Sequence, residues 1–223
     1  MKRLLLAATA AATLATPLAA LADPPQHLVD SATLTVESMM DGSEGHEAAQ
    51  FLRHAKAVLV CPNIFRAGFM FGGEGGGCVM VARGNNGGWS DPAFFGMGGG
   101  SFGLQIGLQS AQVMMMVMTD NGLNALLNSQ FKFGADAGLT VATLGAGVNG
   151  SMSTGLTADI ISFSKSEGLY GGISLAGSIL SNDSKTEQAY YGAPLDARQI
   201  VVDMQGSNPG ANPLREMLTR YGG

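Results

Sequence analysis

The chain has 223 residues, with 12 basic and 17 acidic side chains and 33 glycines. A general nucleic-acid-binding protein has the opposite charge balance, so this partner class is disfavoured. The glycines occur within strongly apolar patterns, which favours many curved strands over a flexible low-complexity polymer.

Residues 1–22 show the three parts of a cleaved export signal. The basic residues Lys2 and Arg3 come first, an apolar stretch follows, and the small-residue cleavage site Ala20-Leu21-Ala22 comes last. An uncleaved anchor helix is the alternative, but the apolar stretch is short and is broken by Pro17. We therefore expect a periplasmic or secreted protein. Cleavage would leave one domain, residues 23–223, with 10 basic and 17 acidic side chains and a net charge of −7.

The N-terminal part of this domain predicts two helices. Apolar residues recur at helical spacing from Leu28 to Met39, and a second helix is expected over residues 44–55. The second helix has Glu44 and Glu47 near its start and Arg53 near its end, an arrangement that suits the helix dipole.

From Ala57 onward the apolar spacing becomes that of strands. Residues 101–109 alternate between apolar and small or polar side chains, which predicts a half-buried strand, and residues 113–118 are continuously apolar, which predicts a strand covered on both faces. The candidate strands are 57–61, 77–82, 101–109, 112–118, 133–143, 155–164 and 169–178.

Two further helices complete the predicted elements. Asp120 would cap a short helix that carries three leucines, and Asn212 would cap a last helix with Pro213 at its first position. The turn-rich stretch from Gly192 to Gly210 is expected to be a surface excursion. The predicted class is α+β, with a curved, mainly antiparallel, barrel-like sheet, N-terminal helices, one internal helix and a C-terminal helix.

Several short motifs match enzyme signatures, but none has the surroundings that its chemistry needs. Residues 99–103 match G-x-S-x-G around Ser101, yet a strand pattern follows where a nucleophile elbow requires a helix. Residues 162–165 match S-x-x-K without its companion motifs. The two G-x-G-x-x-G matches, at 98–103 and 145–150, do not open helices. We therefore expect no enzyme activity and no cofactor.

The sequence also contains few residues that could bind a metal ion. The histidines His27, His46 and His54 all lie in the N-terminal helical part and form no ligand cluster. The run Met114–Met116 is more typical of a packed strand than of a soft-metal site, because neighbouring strand residues point to opposite faces. No metal is expected.

The stretch from Gly87 to Asp120, GGWSDPAFFGMGGGSFGLQIGLQSAQVMMMVMTD, resembles the signature of the SYLF-domain family. Further pieces similar to that family follow its order: AKAVLVCP at 55–62, AGFMFGGEGGG at 67–77, FKFGADAGLT at 131–140, GLYGGISLAGS at 168–178 and AYYG at 189–192. The resemblance implies a compact β-rich fold that binds membrane lipids, of anionic phospholipid or phosphoinositide type, without catalysis. The chain departs from the family at Gly75 and in its cysteine pair.

The basic residues that we take as candidate lipid contacts are Arg53, Lys56, Arg66 and Arg83. They flank the stretch Gly68–Gly77, which is expected to form a glycine-rich loop whose backbone N–H groups help to hold an anionic headgroup. An ordinary solvated surface is the alternative, favoured by Glu74 in the middle of the loop. A second alternative is insertion of the apolar face of the helix Leu28–Met39 into the membrane interface.

Cys61 and Cys78 are the only cysteines, and both lie in candidate strands. In an oxidising compartment they are expected to form a disulfide, with a buried pair of free thiols as the alternative. The leading function is thus a lipid-binding module of the cell envelope whose protein partners the sequence does not identify. A small outer-membrane β-barrel or an envelope structural protein is the alternative, favoured by the glycines and the alternating strands.

Overall fold

The computed structural model describes residues 25–42, 45–134, 141–144, 158–167 and 175–223, with only the backbone described at 68–71, 101–108 and 141–144. The predicted leader, residue 44 at the start of the second predicted helix, the glycine motif at 145–150, and residues 135–140, 155–157 and 169–174 of the last three predicted strands lie outside the described residues. The remaining predicted elements can be compared with the structure.

Helices surround the sheet in the described part of the chain. Their bounds are α1 Pro25–Met40, α2 Gly45–His54, α3 Asp120–Leu126, α4 Ser184–Tyr191, α5 Ala197–Val201, a 3-10 turn Pro209–Ala211 and α6 Asn212–Gly222. Among the described residues, no helix has both the length and the apolar character needed to cross a membrane.

The strands form one curled, mainly antiparallel sheet. Their bounds are β1 Ala57–Ala82, β2 Ala93–Val117, β3 Gln130–Lys132, β4 Val141–Leu144, β5 Ile160–Glu167 and β6 Ile179–Asn182. The order β3-β6-β2-β5-β4 runs across the sheet, with β1 paired to β2, and among these described strands only β4 and β5 run parallel. The predicted α+β class with a barrel-like sheet is confirmed, because the sheet curls into a half-barrel.

The strand β1 doubles back on itself. The backbone N–H of Arg83 donates to the carbonyl oxygen of Lys56 at 2.7 Å, and the Cα atoms of Cys61 and Cys78 are 4.1 Å apart. An extended chain between these cysteines, which are 17 residues apart, would span about 55 Å. The two ends of β1 therefore lie side by side, and β2 follows the bend on the outside.

The prediction of a glycine-rich loop at Gly68–Gly77 was wrong. This stretch stays within β1 and pairs with β2 from Gly68 opposite Gly107 to Gly77 opposite Gly96, with one irregularity between Gly68 and Met70. Its backbone groups are engaged in the sheet, so they do not form the predicted anion-binding loop. Residues 101–109 and 112–118, predicted as separate strands, likewise belong to the single strand β2.

Both faces of the central sheet are covered. Met115 and Phe95 of β2 pack in one buried cluster with α3 and α5, whereas their neighbours Met114 and Phe94 pack in another with α1, α2 and α6. The continuously apolar stretch at 113–118 thus has the predicted two-sided burial over residues 113–117.

The C-terminal third differs most from the sequence prediction. The stretch 192–210 was expected to be a surface excursion, but it contains α5, whose Ile200 and Val201 are buried in the core. The helix α4 was not predicted at all. Asp183 caps α4 and Asp196 caps α5, each through its side chain. Both helices are too short for their apolar residues to repeat clearly.

Two predicted caps are also displaced. Thr119, not Asp120, caps α3, because its hydroxyl oxygen accepts from the N–H of Gly122 at 3.0 Å. Asn212 is the first residue of α6 and does not cap it, since the preceding 3-10 turn already leads the chain into the helix. Pro213 lies in the first turn of α6, as predicted.

Candidate functional site

The structure contains the predicted disulfide between Cys61 and Cys78. Both side chains are fully buried. The bond joins the two arms of the doubled strand β1, so it fixes the fold of the sheet and does not lie at an exposed site.

Arg66 is held inside the bend of β1. Its Nε donates to Glu74 Oε2 at 2.7 Å, its Nη2 also contacts that oxygen, and Ser178 Oγ donates to the other oxygen of Glu74. The side chains of Arg66 and Glu74 are only 17% and 7% exposed. This network ties both arms of β1 to the turn before β6, and it leaves little of Arg66 for a ligand.

Arg83 is also bound within the fold. Its guanidinium donates to the carbonyl oxygens of Leu52 at 3.2 Å and Gly87 at 3.3 Å, and it stacks over the Trp89 ring at 4.3 Å. Burial lowers the pKa of Arg83 below its usual value. Because Leu52 lies in the last turn of α2, Arg83 neutralises the carbonyl end of that helix and joins it to the turn between β1 and β2.

Arg53 and Lys56 lie beside Arg83 and are exposed. Lys56 pairs with Asp120 at 2.8 Å, but both side chains remain largely open to solvent, so this pair is weak. The structure therefore brings Arg53, Lys56 and Arg83 together at the end of α2. Arg66 lies apart from them, within the bend of β1.

A groove opens next to Arg83, between the turn after β1 and the helix α6. We call it the Trp89 groove; it has a volume of about 420 Å³ and is lined by Gly88, Trp89, Asn212, Arg215, Glu216, Thr219 and Arg220. Arg215 donates from Nε to the carbonyl oxygen of Trp89 at 2.8 Å and pairs with Asp91 at 3.7 Å. The groove is thus lined by one fixed arginine, Arg215, and by the exposed Arg220.

A second cavity of about 250 Å³ adjoins the groove and shares Gly88, Trp89 and Arg215 with it. Met204 lines this cavity, is 41% exposed and has a positive φ of 55°. A left-handed conformation is uncommon for a residue other than glycine, so the surrounding structure holds Met204 in place. One exposed apolar side chain therefore lies in the cavity beside the groove.

Sequence reasoning missed Arg215, Arg220 and Met204. The arginines are more than 120 positions from Trp89, and nothing in the spacing of α6 shows that this helix packs beside the β1–β2 turn. The available signal was the amphipathic pattern of α6, which places Leu214 and Leu218 in the core and therefore leaves Arg215 and Arg220 away from it.

The apolar face of α1 is packed inside the protein. Val29, Ala32 and Val36 are fully buried against the sheet, whereas Leu34 on the opposite side is 64% exposed. The face from Leu28 to Met39 that was considered for membrane insertion is therefore largely part of the core. Val36→Asp would disturb folding before it could report on membrane binding.

The family that comparison with known proteins identifies is described by binding and is not a known enzyme family. Residues 98–221 match the family model described as "Ysc84: Las17-binding protein actin regulator". This match covers more than half of the chain, so the chain belongs to the Ysc84 family, which confirms the SYLF resemblance.

Two eukaryotic proteins are among the relatives that the chain resembles. The chain is 29% identical to "LAS seventeen-binding protein 3" of Saccharomyces cerevisiae over 172 residues, which are 75% of this chain and 37% of the relative. It is 28% identical to "SH3 domain-containing YSC84-like protein 1" of Mus musculus over 174 residues, which are 78% of this chain and 51% of the relative. The chain thus spans about half or less of the length of these relatives.

Proposed function

We propose that this protein is a non-catalytic module that binds the anionic surface of a membrane, in the periplasm or outside the cell. The observation that carries the proposal is the gathering of basic side chains at one end of the molecule. We call this the basic face: Arg53, Lys56, Arg83, Arg215 and Arg220. Three of the four lipid contacts expected from sequence belong to it.

The packing of α2 against α6 brings the members of this face together. A Cβ on Gly222 would lie 3.0 Å from Leu52 Cγ and 3.1 Å from Arg83 Nη2, so the end of α6 touches the end of α2. Arg53 follows Leu52, and Arg220 precedes Gly222 by two residues. Asp91, Asp120 and Glu216 also lie among these contacts, and Asp41 accepts from the hydroxyl of Tyr221 beside Arg220. Five basic side chains thus gather in one region of a chain that is negative overall.

A local patch of this kind is what a net-negative protein needs to approach an anionic membrane, because long-range attraction is weak and screened by salt. Each basic side chain near such a surface contributes about 1 kcal/mol. Family membership supports binding as the function, and the yeast relative's name describes binding to a protein. A protein partner for this chain is the second candidate.

The test is flotation of the purified protein with phosphatidylglycerol or phosphatidylcholine vesicles at low and high salt. Arg53→Ala/Arg220→Ala removes two exposed members of the basic face and should weaken binding to the anionic vesicles roughly tenfold or more. Lys132→Ala/Lys185→Ala removes the same charge from exposed positions on β3 and α4 and serves as the matched control. Equal binding to both vesicle types at both salt concentrations would contradict the proposal.

A further inference from the structure

The Trp89 groove presents two arginines from one helix to the same small space. Arg215 is held by Trp89 and Asp91, so its guanidinium is positioned before any ligand arrives. Arg220 is exposed and its guanidinium lies 5.5 Å from the centre of the Tyr221 ring, and it makes no salt bridge within the part of the chain that the structure describes. A fixed arginine and an available one thus converge on the groove.

The chemistry of these side chains favours a phosphate group as the ligand. Guanidinium groups present several N–H donors in a plane and match phosphate oxygens with paired hydrogen bonds. Asn212 adds an amide to the lining, and the Trp89 ring forms an apolar wall. The volume is at the lower end of the usual range for small-molecule sites, which is roughly 300–1,000 Å³, so the groove suits one headgroup better than an extended chain.

The charges around the groove also bear on which kind of phosphate group it binds. Glu216 also lines the groove, one helical turn before Arg220 on α6, and Asp91 already offsets part of the charge of Arg215. A phosphodiester has one negative charge and only two free acceptor oxygens to share between the two arginines. A phosphate monoester has a charge of about −1.5 to −2 near neutral pH and three strong acceptor oxygens, so it gains more from the same two arginines.

We infer that the Trp89 groove is a binding site for the phosphate-monoester headgroup of a single membrane lipid. The lipid source rests on the proposed function. It is favoured by Met204 in the adjoining cavity, whose exposed apolar side chain can enter the membrane interface while the headgroup is bound. Glu216 then limits the affinity of the site.

Trp89 makes the site directly measurable, because it is the only tryptophan in the chain. Its fluorescence is followed while the protein is titrated with glycerol 3-phosphate, with inorganic phosphate, and with vesicles of phosphatidylcholine that contain phosphatidic acid or phosphatidylglycerol. Phosphatidic acid carries the monoester and phosphatidylglycerol the diester. We expect a saturable change with phosphatidic acid vesicles at a concentration at least several-fold below that for phosphatidylglycerol, and a weaker saturable change with glycerol 3-phosphate.

Single substitutions distinguish binding in the groove from general electrostatic attraction to the protein surface. Arg220→Ala should weaken phosphatidic acid binding roughly tenfold, and Glu216→Gln should strengthen it several-fold because it removes a like charge. Met204→Ser should weaken binding to vesicles and leave glycerol 3-phosphate binding unchanged. Lys185→Ala, remote in sequence and exposed on α4, should leave every titration unchanged.

The outcomes distinguish the inference from the proposed function. Equal binding of the two anionic vesicles, with no change in Trp89 fluorescence and no gain in Glu216→Gln, would overturn the groove site while anionic-membrane binding stands. Saturable binding of glycerol 3-phosphate or phosphate with no binding to any vesicle would confirm a phosphate site but overturn its lipid source. No fluorescence response to any ligand, together with no flotation with any vesicle, would overturn both.

Discussion

Glu187 provides the sharpest test of the packing of α4. Its side chain is 1% exposed, and neither carboxyl oxygen has a hydrogen-bond partner that meets normal geometry among the described residues. Burial raises the pKa of Glu187 from 4.5 to about 7; a weak backbone contact with Phe94 offsets part of this, and Asp196 and Asp183 add to it. The folded protein therefore holds a proton on Glu187 that the unfolded chain releases at lower pH.

The sign and the size of the effect follow from that difference. Between pH 4.5 and about 7 the folded state binds more protons than the unfolded state, so the free energy of unfolding falls as pH rises. The difference between the pKa of Glu187 in the folded and unfolded states changes the free energy of unfolding by about 3 kcal/mol at most, since one pKa unit corresponds to about 1.4 kcal/mol. The stabilising contribution of the neutral carboxyl is complete below the unfolded pKa and is lost above the folded one.

The substitution Glu187→Gln replaces the carboxyl by a neutral group of nearly the same shape. We expect the variant to be more stable than the wild type at about pH 8 and to differ little from it at about pH 4. Urea unfolding with the disulfide intact, measured at several pH values across this range, gives the difference directly. If the two proteins show the same pH dependence, Glu187 is not a buried neutral acid and the reasoning is refuted.

Three further predictions concern the sheet. Cys61→Ser/Cys78→Ser should lower the free energy of unfolding by about 3 kcal/mol, because the bond closes a loop of 17 residues; an unchanged urea midpoint would contradict this. Gly99→Ala should cost roughly 1–3 kcal/mol, because the new Cβ would lie 2.8 Å from Glu74 Oε1 and 3.2 Å from Ser178 Cα, whereas Gly96→Ala, with open space around it, is the control for the same change within β2. Ser101→Ala should leave membrane binding intact, and a fluorophosphonate probe should not label Ser101, because this residue lies within β2 and not at a strand-to-helix turn.

Much of the fold could be predicted because local patterns and tertiary packing agree there. The helices α1 and α2 have regular apolar spacing, and Val113–Val117 is apolar throughout because both of its faces are buried. The glycines of β1 could not be interpreted in this way. Glycine is common in loops, and only the pairing with β2 shows that here it allows a strand to bend without losing its partner.

The candidate site was harder to predict, because it depends on contacts between distant parts of the chain. Arg83 looks like a surface charge in sequence, yet it binds the carbonyl groups of α2 and stacks on Trp89. Arg215 and Arg220 reach the same region only through the docking of α6. Basic residues that are close in sequence thus identified part of the basic face, and the tertiary structure added the rest.

The doubled strand β1 also constrains the order in which the protein can fold. Cys61 and Cys78 are 17 residues apart, so the two arms of β1 can meet early, whereas the pairing of Ala57 with Val117 closes a far longer loop. Contacts of such high sequence separation slow folding. Until β2 has paired with both arms, the unpaired backbone N–H and C=O groups along β1 stay open to pairing with other chains. Oxidation of the cysteine pair before β2 docks would hold the two arms of β1 together. It would thereby shorten the time for which aggregation competes with folding.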